Sequence, residues 1–594
     1  MEIPPGLAHL ARILPPTLLP CAATYFVLSR VPPLLDLGLL PLWSRVLCAV
    51  VAQPVLAYFY NEYQQARDAA SLGAMRIPVV YDKWPGGLSL ISKMVKSFNE
   101  GYPGDFLEEW CEHYGNTLVT KVLFQSGIFT TEPEYIKAIL ATDFDNYWKG
   151  GSTDQILRTK RKRTFSGPND SRLLQSLLGF GVFNTDDHMW KFHRNLSRPF
   201  FSRERISDFD IFDRHAHDAL SRMRARLAEG FPVDFQDLAS RFTLDSATEF
   251  LFGRSVDSTS AGLPYPQSSP LANSPSFLNH PSNNFVRSFL QSQILTAQRA
   301  SYGPNWPLFE FWKDIVKPHR KTINEYINPI LNEALARKRV GGVEDGKEDQ
   351  TFLNKDVIRD AIFNILIAGR DTTAATLTYS VYMLAEHPDI AERLRKEILD
   401  TVGSSKMPTY DDLRGMKYLR AFINETLRLY PPVPFDLRAS KRATTWPTTK
   451  PGAKPLYIPP NISCRYSVFL MHRRTDLWGP DALTFDPDRF LDERVRKYLT
   501  ANPFIFLPFN AGPRICLGQQ FAYNEASFFL VRLLQNFTEF SLAPDAQPDS
   551  TKPPASWKEC KGTKATEKIT LGTHLTMYAK GGLWVRMKEV AVEE

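Results

Sequence analysis

The 594-residue chain carries 71 basic and 64 acidic residues, a net charge of +7 too nearly balanced to point to nucleic acid as a partner. Its six cysteines (Cys21, Cys48, Cys111, Cys464, Cys516, Cys560) are scattered and include no CxxC pair. That argues against a disulfide framework and a zinc site, and places the catalytic part in a reducing compartment. The chain opens on apolar runs: ILPPTLLPCAATYFVLS (13–29), VPPLLDLGLLPLW (31–43) and VLCAVVAQPVLAYFY (46–60). A signal peptide would be one short apolar run with a small-residue cleavage site, and here the apolar character continues to Tyr60. Each run is near the lower limit for a span, and Pro15, Pro16 and Pro20 weaken the first. The expectation is a membrane anchor over residues 1–75, with one or two spans; a buried helical hairpin is the competing reading. After Tyr60 the chain turns polar (NEYQQARDAA), which sets the boundary.

No second boundary follows, so residues 76–594 read as one domain. The run RTKRKR (158–163) has no interleaved aromatics and reads as a solvated loop rather than a nucleic-acid signal. The Ser-, Pro- and Asn-rich stretch 257–284 reads as a long surface loop. A helix is expected from Asp356 to Glu386, ended by Pro388. Its segment AIFNILIAG is apolar nearly all round, which makes the helix central. Its middle, AGRDTT (368–373), breaks that pattern. Gly369 lowers helix stability, and Thr372, four residues after Ala368, can take that carbonyl and open the helix locally. Asp371 beside Thr372 can then relay protons, although a polar patch facing another helix fits these residues equally well.

A second helix is expected from Asp412 to Tyr430, stopped by Pro431 and Pro432. Met416, Leu419, Ile423, Leu427 and Tyr430 form its core face. Glu425 and Arg428 fall on the other side, three apart, with Phe422 and Leu429 beside them. A pair that is partly buried needs more partners, and Arg489 in FDPDRF is the candidate. Near the end, FNAGPRICLG places Cys516 on a glycine-rich approach to a helix. It is either a small buried hydrophobe or a thiolate held at a positive helix end, as nucleophile or metal ligand.

Taken together, these marks resemble the cytochrome P-450 superfamily. Phe509, Gly512, Arg514, Cys516 and Gly518 stand at the spacing of its haem-binding loop. Trp190 and Arg194 in WKFHR resemble its haem-facing helix, AGRDTT its oxygen-activating helix, ETLR its Glu-x-x-Arg helix, and PDRF the arginine segment before the cysteine loop. The resemblance runs from about residue 76 to the end. QQFAYNEASFFLVRLLQ and HLTMYAKGGLWVRM are most similar to the fungal membrane-bound hydroxylases of alkanes and fatty acids.

The resemblance implies a mainly α fold with small β-sheets, the cytochrome P-450 fold, behind an N-terminal membrane anchor. It implies haem b with Cys516 as the axial iron ligand, a thiolate that favours O–O cleavage. Trp190, Arg194, Arg438 in PVPFDLR and Arg514 would pair with the propionates, while Gly512 and Gly518 let the backbone approach the macrocycle. The implied reaction is monooxygenation of a lipophilic substrate, with Thr372 orienting a proton-delivering water that Asp371 connects to solvent. The chain has no Gly-rich dinucleotide fingerprint, so electrons are expected from NADPH through a separate flavoprotein reductase, with cytochrome b5 as an optional second donor. The expected location is the endoplasmic reticulum membrane, catalytic domain facing the cytosol. Ile362, Phe363, Ile365 and Leu366, with Val433, Pro434 and Phe435, are expected at the pocket. They favour terminal or near-terminal hydroxylation of long-chain alkanes or fatty acids over polycyclic aromatic, xenobiotic or terpenoid substrates. From other classes, a haem-thiolate isomerase or dehydratase and a non-catalytic gas-binding protein compete; the former tends to lose the acid–threonine pair. One departure is the long stretch STDQILRTKRKRTFSGPNDSRL after NYWKGG, read as either a lid or a translated non-coding segment, which puts substrate contacts from that region in doubt.

Overall fold

The computed structural model describes residues 3–30, 42–84, 87–122, 125–149, 172–272, 274–340, 355–448 and 451–590. Residues 152–171, with RTKRKR among them, lie outside the described residues. Two helices open the chain, α1 (Pro5–Arg30) and α2 (Leu42–Ser71), and pack on each other. No described helix is long and apolar enough to cross a membrane, so the expected spans are not displayed. The sequence accounts for this: Arg12 interrupts the apolar character of α1, and α2 ends in the polar NEYQQARDAAS. Even so, Leu18, Leu19, Phe26, Trp43, Leu56 and Phe59 are exposed on these helices. The pair is tied to the rest of the chain. Gly6 N–H donates to Phe311 O at 2.9 Å, and Glu62 pairs with Lys121 at 2.7 Å and Arg76 at 2.5 Å.

The remainder is mainly helical with small sheets. The chief helices are α3 (Asp187–Ser197), α4 (Phe235–Phe252), α5 (Pro281–Tyr302), α6 (Lys317–Val340), α7 (Lys355–Glu386), α8 (Lys417–Leu429) and α9 (Gln519–Asn536). α7 is the axis. It is buried along most of Asp360 to Leu384 and crosses α4, α8 and α9. Thr243 of α4 donates to the Arg370 carbonyl at 2.9 Å, which locks that crossing.

The largest sheet has five strands: β1 (Thr117–Val122), β2 (Gln125–Thr130), β3 (Tyr147–Trp148), β4 (Phe435–Ser440) and β5 (Ser463–Ser467), in the order β1-β2-β5-β4-β3. Only the β2–β5 pair is parallel. Near the C-terminus β6 (Leu571–Thr573) and β7 (Met577–Ala579) form a hairpin in register Leu571↔Ala579. Its tip brings His574 and Leu575 back over the helices.

Three expectations change. The second helix is two helices, because Met416 takes an extended conformation between Tyr410–Gly415 and Lys417–Leu429; Thr409 caps the first with a full capping box. The described residues of the stretch 257–284 include two short helices, Ser258–Ala261 and Pro275–Leu278. Asp245 accepts from Ser258 N–H at 2.7 Å and Thr259 N–H at 3.0 Å, and the last four residues already belong to α5. Finally, Thr372 does donate to Ala368 O, at 2.5 Å, but α7 continues unbroken through it.

Candidate active site

The cysteine loop closes on itself through Cys516 N–H to Phe509 O at 3.1 Å. Gly512 has φ +68°, and a Cβ there would stand 1.8 Å from Leu140 O, so only glycine fits. Gly518 is a weaker case: its φ is ordinary and a Cβ would meet only the Phe201 ring at 3.3 Å. The Phe509 ring packs on Tyr523 of α9, centroids 5.1 Å apart. Cys516 is exposed, whereas Cys464 on β5 is fully buried. Burial pushes the Cys464 thiol up; Cys516, open on one side but crowded by protein on the others, is raised by desolvation as well, against the pull of the Gly518 N–H and the Arg194 guanidinium. An accessible sulfur facing an N–H donor and a cation is not a core hydrophobe.

Cations gather beside this loop. Arg194 on α3 donates to Ile515 O at 2.9 Å, and Arg194 and Arg514 both lie over the Trp190 ring, at 5.8 and 4.6 Å. Arg514 pairs with Asp186 at 2.6 Å, and Arg438 on β4 pairs with Asp436 at 2.9 Å. Lys149 joins them: its Nζ is 3.6 Å from Asp436, and its N–H donates to Asp186 at 2.9 Å. Burial, together with Arg438 and Arg514, lowers the Lys149 ammonium to about 8, although Asp436 opposes them. Burial likewise lowers Arg514, to about 10. Among the described residues, and counting Asp187 with the Lys441 it pairs with at 3.3 Å, five cations face three carboxylates, an excess of two positive charges.

Opposite in character is the open face of α7. Ile362, Ile365, Ala368, Gly369 and Thr372 are the half-buried positions in an otherwise buried run, at helical spacing and ending on the threonine hydroxyl. Phe363 and Leu366, expected at the pocket, are instead fully buried against α5. Val433 is exposed and Phe435 half-buried, but Pro434 between them is buried.

Beneath the loop sits the Glu425 network. Arg428 grips Glu425 with two hydrogen bonds of 2.7 Å and donates to the carbonyls of His472, Ala482 and Thr484. Arg489 reaches Glu425 at 3.5 Å and pairs with Asp481 at 3.0 Å. Both Glu425 and Arg428 are fully buried.

The family model for cytochrome P450 matches residues 85–564. The chain is a cytochrome P450. It is 32% identical to cytochrome P450 52-M1 of Starmerella bombicola, over 86% of this chain and 92% of that one. It is 33% identical to cytochrome P450 52E2 of Candida apicola (82% and 90%) and 32% identical to cytochrome P450 monooxygenase g430 of a Fusarium species (84% and 86%). The family uses haem b, and electron supply from NADPH through a reductase is typical of it.

The residues of this P450 fit that group. An accessible thiol, a glycine whose Cβ would strike backbone, and two unbalanced positive charges match a planar macrocycle with a thiolate-bound iron and two carboxylates. Cys516 would hold the iron, and Arg194, Arg438, Arg514 and Lys149 the propionates. Lys149 was not legible in the sequence, where no motif marks it. His472 was missed as well. Burial and Arg428 keep its ring neutral, lowered to about 3, so Nδ1–H donates to Arg428 O at 3.1 Å and Nε2 accepts Leu507 N–H at 3.0 Å. That single ring links the Glu-x-x-Arg helix to the cysteine loop.

Proposed function

We propose that this P450 hydroxylates long-chain alkanes or fatty acids at or near the terminal carbon. The observation that carries the reading is the apolar row Ile362–Ile365–Ala368–Gly369 leading to Thr372. A linear chain laid along it gains roughly 0.8 kcal/mol per buried methylene, and few groups there would hydrogen-bond a polar core. The haem, when bound, supplies oxygen activation. This chain's own residues hold it, exclude water and deliver protons, with Thr372 orienting a water and Asp371 supplying its proton. Electrons come from a membrane-bound NADPH-dependent reductase.

Residues 1–75 attach the enzyme to the endoplasmic reticulum membrane, a role supported by the exposed apolar residues of α1 and α2. A turnover screen with matched reductase across alkanes, fatty acids, polycyclic aromatics and terpenoids tests the substrate. Because one methylene discriminates weakly, a range of chain lengths should be accepted. Regiospecific oxidation of a rigid terpenoid with no turnover of linear chains would overturn the reading. Deleting residues 1–75 should leave a haem-loaded protein that carbonate extracts from the membrane fraction.

A further inference from the structure

Asp371 has fewer partners than its burial calls for. It is 8% exposed; Oδ1 accepts from Arg370 at 2.7 Å, while Oδ2 makes no close hydrogen bond among the described residues. On α5 the carboxamide of Gln293 is 1% exposed, and neither its nitrogen nor its oxygen makes a close hydrogen bond among the described residues. The ring contacts of Phe289 bring this part of α5 against Arg370 and Phe363 of α7, and of the influences on the Asp371 carboxyl burial raises it while Arg370 and then Gln293 pull it down. Phe289, one turn before Gln293, lies under the Arg370 guanidinium at 4.6 Å and meets the Phe363 ring edge-on at 5.8 Å.

An unpaired buried polar group is destabilising, a cost that a leucine at position 293 would avoid. Packing alone therefore gives no reason for an amide there. The other charged or titratable groups around the carboxylate are Arg370 on α7 itself and, facing Arg370 from the β6–β7 hairpin, His574, which burial lowers to about 3 and keeps neutral.

We propose that Gln293 is the positioning residue for Asp371, its Nε2–H donating to Oδ2 while Arg370 holds Oδ1. The carboxylate is then clamped from two helices, α5 and α7. With α5 seated, Oδ2 is fixed; with α5 drawn away, Oδ2 is free to meet water. Proton delivery at Thr372 is thereby tied to the seating of α5, whose Phe285 and Phe289 cover Phe363 and Leu366 on the flank of the pocket helix. This rests on the proton-delivery role of Asp371 proposed above.

The test is an infrared pH titration of the resting full-length haem protein, reading the protonated-carboxyl band that Asp371→Asn removes. In Gln293→Leu the midpoint of that band should move up by about one pH unit, because a donor to the ionised form is lost. In turnover with reductase, Gln293→Leu should lower product per NADPH several-fold and raise peroxide, and adding it to Asp371→Asn should cost nothing further. Gln293→Met, of similar length without donors, serves if the leucine variant fails to fold. An unmoved midpoint in a folded, haem-loaded variant overturns the proposal. Should Asp371→Asn leave coupling unchanged, the relay role fails, and the midpoint shift still reports whether Gln293 positions the carboxylate.

Discussion

The two sides of the site differ in how fully their polar groups are satisfied. Below the cysteine loop, Arg428 makes five hydrogen bonds, Arg489 braces Glu425 from a second segment, and both nitrogens of His472 are engaged. Along α7 the opposite holds. Among the described residues Arg370 Nε, Asp371 Oδ2 and the Thr373 hydroxyl make no close hydrogen bond, nor do the Gln293 carboxamide on α5, the Ser246 hydroxyl on α4 or either oxygen of Glu525 on α9. A saturated network has one low-energy arrangement and is rigid, which suits a ligand that must not move. Groups left open are the ones that can exchange protons and water, which suits delivery to a reacting atom.

The comparison breaks first at the cysteine. Cys516→Ala should abolish the thiolate-type band of the reduced, carbon-monoxide difference spectrum, while Cys464→Ala leaves it intact. Retention of that band in Cys516→Ala would remove the iron ligand from this loop. Next comes the saturated network. Glu425→Ala leaves Arg428 buried without its carboxylate and should cost about 3–5 kcal/mol, read as lost haem retention and a lowered denaturation midpoint. A near-wild-type midpoint would mean that the network is not what fixes this side.

Effects on the open side should be functional rather than structural. Thr372→Ala should still bind haem and substrate, yet divert NADPH several-fold from product to peroxide, as measured by product-to-NADPH ratio; unchanged coupling would end its relay role. The smallest effect is expected at Glu525, whose carboxyl burial raises from 4.5 to about 8. A raised folded-state value favours the protonated acid, so its contribution to stability is full below about pH 4.5 and lost as pH rises towards 8. Glu525→Gln stays neutral throughout. Its stability profile should therefore be flatter across that window, and at pH 8 it should exceed wild type by on the order of 2 kcal/mol in chemical denaturation. Parallel profiles for the two proteins would show that Glu525 finds a charge partner.

The sequence by itself determined what rests on local spacing. The cysteine loop, the long central helix, the hydroxyl of Thr372 on Ala368 and the pairing of Glu425 with Arg428 all depend on residues a few positions apart. Periodicity and side-chain reach decide such contacts. Tertiary structure decided what joins distant segments. Phe363 and Leu366 share a helix with Ile362 and Ile365, yet α5 covers the first pair and leaves the second open, and nothing in a helical repeat distinguishes two adjacent apolar faces. Lys149, His472 and Gln293 carry no motif at all. Each gains its role from a partner in a remote part of the chain: Asp436, Leu507 and Asp371. The apolar N-terminus shows the same limit. Composition proposes an anchor, but the ties of α1 to Phe311 and of α2 to Lys121 come from folding against the rest of the chain.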